Sequence, residues 1–431
     1  MPSVLVVGGG LAGLAAAAAL GGSGFQVHVA EARPYPGGRA TSYNFPSGDG
    51  SADLLDNCQH ILLRCCTNLL DFYRRLGASD SVEWHRRFYF IEPGGRVSDL
   101  RAGFFPAPGH FFESFLTLRF LSATDKVALV RGMLAVRNQH GKRADLADIS
   151  MAQWLQEQNQ PEQVVKRFWR QVLVSAINEE LDQMAASHGL QVIATGFLGT
   201  SDGYQMGVPK VTLGELYSAD HWRHLPNVHF AFRQKVESVN GSCRFEDGSS
   251  STADYYLLAV PFERAQALSE RLIVPTFTHS PITSIHLWFD QPVTDLPHAT
   301  LLDRTIHWMF NKGGGQHLQL VVSASRSLIH LSQQQIVDLV VQELTEFFPA
   351  VARAALVKSR VIKELRATFS AAPGSESQRP GQTTSVKNLF VAGDWTRTGW
   401  PATMEGAVRS GYLAAEAITS AAGSARQFVL P

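Results

Sequence analysis

Cysteine is scarce in this sequence. The 431 residues contain four cysteines, namely Cys58, Cys65, Cys66 and Cys243. They form no CxxC pair and no disulfide framework, which excludes a cysteine zinc site and favours a reducing compartment. We predict no metal site.

An excess of charge and a long apolar run are also missing. Lys+Arg and Asp+Glu both number 38, so the formal net charge is zero, and binding of nucleic acid through its phosphates is not expected. The longest alanine- and leucine-rich stretch, Leu14–Leu20, is far below the roughly 18 residues of a membrane-spanning helix. No basic segment precedes an apolar one at the start. We therefore expect a cytoplasmic protein without a signal peptide.

The first thirty residues carry the clearest pattern. Val4–Val7 is a continuous apolar run, typical of a strand buried on both faces. Gly8–Gly13 follows, then the helix-forming run Leu14–Leu20, and then a second strand-like segment, Phe25–Ala30. This order predicts a βαβ unit that ends at Glu31.

The glycines of this unit have the spacing of a dinucleotide site. In Gly8-x-Gly10-x-x-Gly13, the first glycine allows a tight turn, the second lets the backbone approach a pyrophosphate, and the third lets the helix pack on the strand. The pyrophosphate would meet free N–H groups at the helix N-terminus. Glu31, 18 residues after Gly13, is placed to bond a ribose hydroxyl.

The remaining chain gives a coarser prediction. A glycine triplet at 313–315 has no helix after it, so we expect a hairpin turn there instead of a second nucleotide site, and an external electron donor for the protein. The other predicted elements are a helix over Asn57–Leu76 capped by Asp56, mainly helices over 100–190, strands over 226–262 and 282–330, a helix over Gln333–Phe348, a loop over Ala371–Thr384, a strand over Leu389–Ala392 and a helix over Thr403–Ala417.

Two further segments resemble the flavin amine oxidase and carotenoid desaturase superfamily. Pro36-Gly37-Gly38-Arg39 is similar to its GGR element, and Asn388–Thr396 with Thr403–Ala407 is similar to its second FAD signature. The resemblance implies FAD, held without a covalent bond because no cysteine follows Cys243. The implied cofactor-binding residues are Gly8, Gly10, Leu11, Ala12, Gly13, Glu31, Ala32, Gly38, Arg39, Val236, Gly393, Asp394, Thr403, Met404, Glu405 and Ala407.

One segment, Asp56-Asn57-Cys58-Gln59-His60, points to a single family within this superfamily. It is similar to the DNGQH segment of squalene-associated FAD-dependent desaturases, the hydroxysqualene dehydroxylases of hopanoid precursor synthesis. Cys58 stands where that family pattern has glycine. The resemblance implies reduction of hydroxysqualene to squalene by hydride transfer from reduced flavin.

Three other functions remain open. A carotenoid- or squalene-type desaturase and a flavin amine oxidase belong to the same superfamily, and an FAD-binding structural protein is a third alternative. Amine oxidases carry an aromatic residue at the position of Thr403, which counts against amine oxidation, although Trp400 is close in sequence.

Three residues are the catalytic candidates. His60 is the candidate acid for the leaving hydroxyl, because imidazole titrates near neutrality. Asp56 lies four residues earlier, so on a helix it would share a face with His60 and orient it. Gln59 would bond the alcohol or a flavin carbonyl. Two of them have a structural alternative: a backbone-bonded first-turn residue for His60 and a helix N-cap for Asp56.

The resemblance also implies the architecture and the partners. We expect an α/β fold in which a Rossmann-type, amine oxidase-like FAD-binding domain (1–62, 190–270 and 385–431) carries an inserted α+β substrate domain (63–189 and 271–384). The substrate is a hydrophobic isoprenoid. The aromatic stretch Phe104–Leu121 is either a peripheral contact with the inner face of the membrane or a buried core.

Overall fold

The computed structural model describes residues 1–46 and 52–431. In chain order its strands are β1 (Ser3–Val7), β2 (Gln26–Glu31), β3 (Ser42–Pro46), β4 (Ala52–Asp56), β5 (Leu62–Leu63), β6 (Val82–His85), β7 (Phe88–Ile91), β8 (Val97–Leu100), β9 (Met206–Pro209), β10 (Val228–Phe232), β11 (Val236–Val239), β12 (Cys243–Phe245), β13 (Ser250–Ser251), β14 (Tyr255–Leu258), β15 (His279–Phe289), β16 (His298–Leu301), β17 (Trp308–Gly313), β18 (His317–Val322), β19 (Leu356–Phe369) and β20 (Leu389–Val391).

The α-helices of the described residues are α1 (Leu11–Gly21), α2 (Thr67–Arg75), α3 (Phe112–Thr117), α4 (Ala123–Gln139), α5 (Met151–Glu157), α6 (Glu162–Val164), α7 (Gln171–Ile177), α8 (Ala186–Ile193), α9 (Leu213–Leu216), α10 (Phe262–Leu268), α11 (Gln333–Phe347), α12 (Ser375–Gln378) and α13 (Met404–Ala421). Six of them, α3 to α8, follow one another between β8 and β9. π-Helical turns at Val165–Arg170 and Ala194–Gly199 extend α6 and α8.

A parallel five-stranded sheet forms the first layer, in the order β10-β2-β1-β14-β20. Helix α1 is buried along its whole length and lies between this sheet and α13. The two helices touch so closely that a Cβ on Gly411 would lie 2.2 Å from the carbonyl oxygen of Ala12. A glycine is therefore required at this crossing.

A seven-stranded mixed sheet, β19-β15-β18-β17-β16-β7-β8, forms the second body. Helix α11 packs on one face through residues such as Leu344, against Ile285 and Leu287 of β15. The other face presents Phe90 and Trp308 to the helices between α3 and α8. This second face is the one that borders the site described below.

The predicted helix over 57–76 is wrong in its first half. Leu62–Leu63 forms β5, which pairs with Met206–Gly207 of β9, and the helix begins only at Thr67. The apolar spacing that suggested a helix belongs to a strand whose partner lies about 140 residues later in the chain. Asp56 is consequently the last residue of a strand, and it does not share a helix face with His60.

The predicted loop over 371–384 is wrong in one place, because Gly374 in the left-handed conformation starts a helical turn, α12 (Ser375–Gln378). The remaining predicted elements are confirmed, with their ends shifted by a few residues. The βαβ unit, α11, β20 and α13 are present, and 313–315 forms the turn between β17 and β18. Strands of the parallel sheet come from residues 3–31, 228–258 and 389–391, while the proposed domain limits stay a prediction. The fold is an α/β Rossmann-type domain joined to an α+β substrate domain. No helix in the described part of the chain combines the length and apolarity needed to cross a membrane.

Candidate active site

A cavity of about 520 Å³ runs from the carboxyl ends of β1, β2 and β14 to the seven-stranded sheet. Its volume is within the range of small-molecule sites. Of the residues that the sequence suggested for the site, all line this cavity except Gly13 and Asp56. The sequence segments at the two ends of the chain therefore converge on one space.

The turn before α1 leaves room for a ligand at Gly10. Gly8 has φ of +107°, which disfavours any side chain, and a Cβ on Gly13 would lie 2.0 Å from the Gly8 carbonyl oxygen. At Gly10, in contrast, a Cβ would meet only the Cα of Gly38, at 3.8 Å. No side chain caps α1, so its first N–H groups, including those of the cavity-lining Leu11 and Ala12, can bind an anion.

Glu31 ends β2 at the rim of this turn. It accepts from the backbone N–H of Gly9 through Oε2 (2.7 Å) and from that of Arg33 through Oε1 (2.8 Å). The carboxylate is buried and oriented by these two bonds. Glu31 lines the cavity beside Ala32, and each carboxylate oxygen has a further lone pair that could accept from a ribose hydroxyl.

Two residues from opposite ends of the chain meet at the cavity wall. The Arg39 guanidinium donates to Asp394 Oδ1 (2.6 Å) and to the carbonyl of Ala367 (3.0 Å). Gly393, at φ of +147°, has no room for a Cβ because the Trp395 indole lies 2.4 Å from that position. Arg39 thus joins the GGR segment to the strand end at β20.

Helix α13 begins at the cavity with Met404, and Ala407 lines the same wall. Thr403 caps this helix, since its Oγ1 accepts from the N–H of Gly406 (3.1 Å). Glu405 points to α2 instead: it accepts from the N–H of Leu69 (2.7 Å) and from the Asn68 side chain (2.8 Å). Burial raises the pKa of Glu405, partly offset by these donors.

Val236 opens β11 at the other side of the glycine turn. It lines the cavity, and its carbonyl accepts from Arg264 (2.6 Å). The cofactor contact that the resemblance implies at Val236 stays a prediction.

Cys58 does not need a glycine conformation, because it is absent from the residues with positive φ. Its N–H donates to Asn57 Oδ1 (3.0 Å), and the Asn57 amide donates to the Arg39 carbonyl (2.7 Å). Burial raises the pKa of the Cys58 thiol to about 12. The thiol is therefore protonated and unreactive at neutral pH.

Gln59 is held in one orientation. Its Oε1 accepts from the Lys312 ammonium (3.0 Å), while its buried Nε2 has no partner. Since an ammonium group only donates, the amide nitrogen must point away from Lys312. Gln59 lines the cavity, and its two N–H groups have no partner among the described residues.

Gln59 has unpaired N–H donors, whereas His60 has a ring nitrogen that can accept a hydrogen bond. Its Nδ1 lies 3.0 Å from the carbonyl oxygen of Cys58, so Nδ1 carries the proton and Nε2 is the atom free to exchange one. Burial lowers the pKa of His60, against the field of Asp56. Asp56 itself accepts from Ser42 (2.7 Å) and from the N–H of Leu213 (3.0 Å), and it does not line the cavity.

The far half of the cavity is apolar and aromatic. Phe88, Phe90, Phe197, Ile282 and Trp308 line it. Such a compartment suits a hydrocarbon chain better than a charged or strongly polar ligand.

Three further residues complete the surroundings of the site, and two of them, Thr300 and Trp308, had no usable signal in the sequence. Arg379 is fully buried and donates to the carbonyls of Asp394 (2.8 Å) and Trp400 (2.7 Å), which fixes the loop before α13. Thr300 and Trp308 line the apolar half from neighbouring strands. Their placement depends on strand register, which alternation alone does not define.

These residues fit FAD. The open space at Gly10 and the uncapped start of α1 suit a pyrophosphate, Glu31 suits a ribose, and the wall formed by Arg39, Asp394 and α13 suits the flavin end. No cysteine follows Cys243, so the cysteinyl link to the flavin that some relatives form near the end of the chain has no residue to form on.

Comparisons with known proteins agree with this geometry. A zeta-carotene desaturase from Synechocystis is 26% identical, over 96% of this chain and 96% of the relative. A hydroxysqualene dehydroxylase from Zymomonas mobilis is also 26% identical, over 95% of this chain and 97% of the relative. The crystal structure of an oxidoreductase from Methanosarcina mazei superimposes with a TM-score of 0.69 at 18% identity, covering 95% of this chain and 98% of the other.

The family model described as flavin containing amine oxidoreductase matches residues 11–419. This range includes α1 and all but the last two residues of α13, and it begins directly after the glycine turn at Gly8 and Gly10. FAD is the cofactor that this family uses, in agreement with the fit of the site. The chain belongs to the family of flavin-containing amine oxidoreductases.

Proposed function

We propose that the protein reduces hydroxysqualene to squalene. The observation that carries the proposal is the continuity of the nucleotide-binding half of the cavity with an apolar half lined by Phe88, Phe197 and Ile282. The hydroxysqualene dehydroxylase of Zymomonas mobilis, similar along nearly the whole chain, supports this choice of substrate. The Asp56–His60 segment supports it through its resemblance to that family.

The proposed reaction breaks one C–O bond and forms one C–H bond. FAD, when bound and reduced by an external electron donor, supplies the hydride. The oxygen leaves as water after it takes up a proton, and His60 Nε2 is the proposed atom that delivers it. The Gln59 amide donates to the alcohol or to a flavin carbonyl, and the aromatic wall excludes bulk water from the allylic carbon.

Turnover under anaerobic conditions tests the function. Photoreduced enzyme mixed with hydroxysqualene should regain the oxidised flavin spectrum and form squalene in equal amounts, as measured by gas chromatography. Squalene itself, which has no hydroxyl, should leave the flavin reduced. Reduced flavin that hydroxysqualene fails to oxidise would contradict the proposal.

Desaturation is the second candidate, because the zeta-carotene desaturase of Synechocystis is as similar as the dehydroxylase. In the same assay, oxidised enzyme with phytoene or zeta-carotene would then form a longer polyene and reduced flavin. Peroxide release with amines would instead favour an amine oxidase.

The pH dependence of flavin reoxidation tests whether His60 is the proton donor. Burial holds the pKa of His60 below 6.5, so only the minority of charged imidazole can donate a proton at pH 7. The rate should therefore rise as the pH falls from 8.0 to 6.0, by up to about tenfold per unit. In His60→Gln, stopped-flow traces should be at least about 100-fold slower and independent of pH, with FAD still bound.

If His60→Gln slows flavin reoxidation no more than a matched control variant does, His60 is not the proton donor. Asn57→Asp is unsuitable as that control because Asn57 holds Arg39. Thr195→Val is better, since Thr195 lines the same cavity but its hydroxyl already donates to the Gln191 carbonyl (2.8 Å). We expect Thr195→Val to keep the wild-type pH profile.

We also propose that the protein takes its substrate from an anionic membrane surface. Exposed apolar side chains cluster on α3 and the segment before it, where Phe104 is 92% exposed and its ring contacts Phe105, which contacts Phe112. Between residues 101 and 142 there are six basic and two acidic residues. Phe111 joins this patch to the cavity through its ring contact with Phe197 (6.0 Å).

Vesicle binding tests this contact. Burial of each exposed phenylalanine in the lipid would contribute about 1.5–3 kcal/mol to binding. The double variant Phe104→Ser/Phe112→Ser should therefore bind phosphatidylglycerol vesicles at least about 30-fold more weakly, as measured by sedimentation. Ile273→Ser, at an equally exposed apolar residue after α10, is the control and should bind like the wild type. Equal binding of all three proteins would count against a membrane contact.

A further inference from the structure

Two cysteines that are neighbours in the chain lie in the wall of the cavity. Cys65 and Cys66 both line it, and both are free and partly exposed. The other two cysteines, Cys58 and Cys243, are buried. A buried cysteine behaves as a small apolar side chain, whereas a partly exposed thiol in a cavity wall is accessible to a ligand. The proposed function gives neither Cys65 nor Cys66 a role.

The backbone fixes this pair in the short link between β5 and α2. The N–H of Cys66 donates to the Leu63 carbonyl (2.9 Å), and Cys66 is the N-cap residue of α2. Its side chain makes no capping hydrogen bond, although oxygen-bearing side chains usually do so at this position. Glu405 accepts instead from the N–H groups of Asn68 (3.2 Å) and Leu69 (2.7 Å). The Cys66 thiol is therefore not engaged in holding the helix.

The two thiols interact with each other and differ in reactivity. The Cys66 thiol donates to the Cys65 sulfur, and this bond lowers the pKa of Cys65. The same bond, together with burial, raises the pKa of Cys66. Since the thiolate is the reactive form, Cys65 is the first sulfur to attack an electrophile. The Cys66 sulfur is then within reach of the atom that Cys65 has bound.

Adjacent cysteines suit one bridging atom better than a direct disulfide. Successive Cα atoms are about 3.8 Å apart, whereas a disulfide usually joins Cα atoms roughly 4.4–6.8 Å apart. An atom bound to both sulfurs spans a greater distance and avoids this strain. Zinc would need four ligands, and the described residues contain no group of three or more His, Cys, Asp or Glu placed to hold a metal ion. The pair therefore fits a thiophilic centre that takes two protein ligands.

The surroundings of Cys65 favour a centre that carries an apolar group. A Cβ added to Gly196 would lie 3.8 Å from the Cys65 sulfur and 3.4 Å from Leu63. Phe197, the next residue, belongs to the apolar half of the cavity, and Val192 lines the cavity as well. A hydrocarbon group attached to the bridging atom would thus be buried against apolar side chains.

We propose that Cys65 and Cys66 form a dithiol site in the cavity for an organic trivalent arsenical, R–As(OH)2. Cys65 forms the first As–S bond and Cys66 the second. Two As–O bonds break, and each thiol proton leaves with one hydroxide as water. Arsenic stays trivalent, so no oxidant or reductant is needed. The site goes beyond the proposed function and does not depend on which substrate the cavity takes.

Phenylarsine oxide, which hydrates to such an arsenical, tests the site on the FAD-loaded protein. Mass spectrometry of the intact chain should show one phenylarsenic group, which is retained in excess 2-mercaptoethanol and removed by 2,3-dimercaptopropanol. Cys65→Ser and Cys66→Ser should each bind the probe at least about 100-fold more weakly, because the second thiol of an intact pair acts at a high effective concentration. Iodoacetamide at pH 7.0 should alkylate Cys65 before Cys66 in the wild type.

The two buried cysteines provide the controls. Cys58→Ala and Cys243→Ala should bind the probe like the wild type, since neither sulfur belongs to the pair. Retained FAD and unchanged circular dichroism verify that each variant is folded, and alanine replaces serine in any variant that fails this check. A wild type that takes up no probe, full retention in both Cys65→Ser and Cys66→Ser, or loss of binding in Cys58→Ala would overturn the proposal.

Discussion

Gly10→Val should give a folded protein that purifies colourless. The backbone at Gly10 has φ of −77° and ψ of 174°, an extended conformation that valine adopts readily. A Cβ there meets only the Gly38 Cα, at 3.8 Å, so the apoprotein accommodates this atom without a clash. The added methyl groups would instead occupy the space in front of α1, where the pyrophosphate approaches the backbone.

The expected loss is at least about 100-fold in FAD affinity, because the side chain both fills this space and covers N–H donors. Reconstitution of apoprotein followed by flavin fluorescence measures the affinity, and circular dichroism verifies folding. Gly381→Val, at a glycine with ordinary φ and nothing within 4 Å, should stay yellow. Stoichiometric FAD in Gly10→Val would mean that the nucleotide does not lie against this turn.

Acid should destabilise the protein strongly. Burial lowers the pKa to about 3 in four histidines, His188, His286, His298 and His307, all of them at most 3% exposed. Because the unfolded pKa is near 6.5, the unfolded chain binds protons that the folded chain rejects, so stability is lost as the pH falls below 6.5. At pH 5.5 each histidine costs about 1.4 kcal/mol, or about 5–6 kcal/mol together.

That loss approaches the whole free energy of unfolding of many domains. Urea unfolding followed by tryptophan fluorescence should therefore show a much lower midpoint at pH 5.5 than at pH 7.5. Equal midpoints at the two pH values would show that these imidazoles accept protons in the folded state.

The variant His298→Phe measures how much one of these histidines contributes to the loss of stability in acid. The His298 ring lies among the rings of His85 (4.8 Å), Tyr89 (5.5 Å) and Trp308, and neither of its nitrogens has a partner. Phenylalanine fits this aromatic surrounding and cannot be protonated, so the variant should lose about 1.4 kcal/mol less than the wild type between pH 7.5 and 5.5. The exposed His224, replaced by Gln, should leave the pH dependence unchanged.

Patterns that are local in the sequence predicted the fold best. The turn from β1 into α1 and the entry into α13 depend mainly on neighbouring residues, and Gly13 against Gly8 and Gly411 against Ala12 each have a steric reason to be glycine. The segment after Asp56 failed because Leu62–Leu63 pairs with β9, a distant partner that outweighs local helical spacing. Glu405 lies at the predicted wall, but its carboxylate binds the start of α2.

The substrate half of the site was the least predictable. Lys312 reaches Gln59 across 253 residues, and Thr300 meets Trp308 only through the register of two strands. Single side chains of this kind leave no motif, since their neighbours in sequence are ordinary strand residues. What the sequence indicated here was the class of ligand, through a family resemblance, and not the atoms that would touch it.

The contact between α1 and α13 has a consequence for synthesis on the ribosome. The first helix is apolar on every side, yet the helix that covers it emerges roughly 380 residues later, which is about 20–80 s at usual elongation rates. During this interval the apolar helix α1 lacks the helix that covers it in the folded protein. Dependence on chaperones should therefore be highest before α13 is translated.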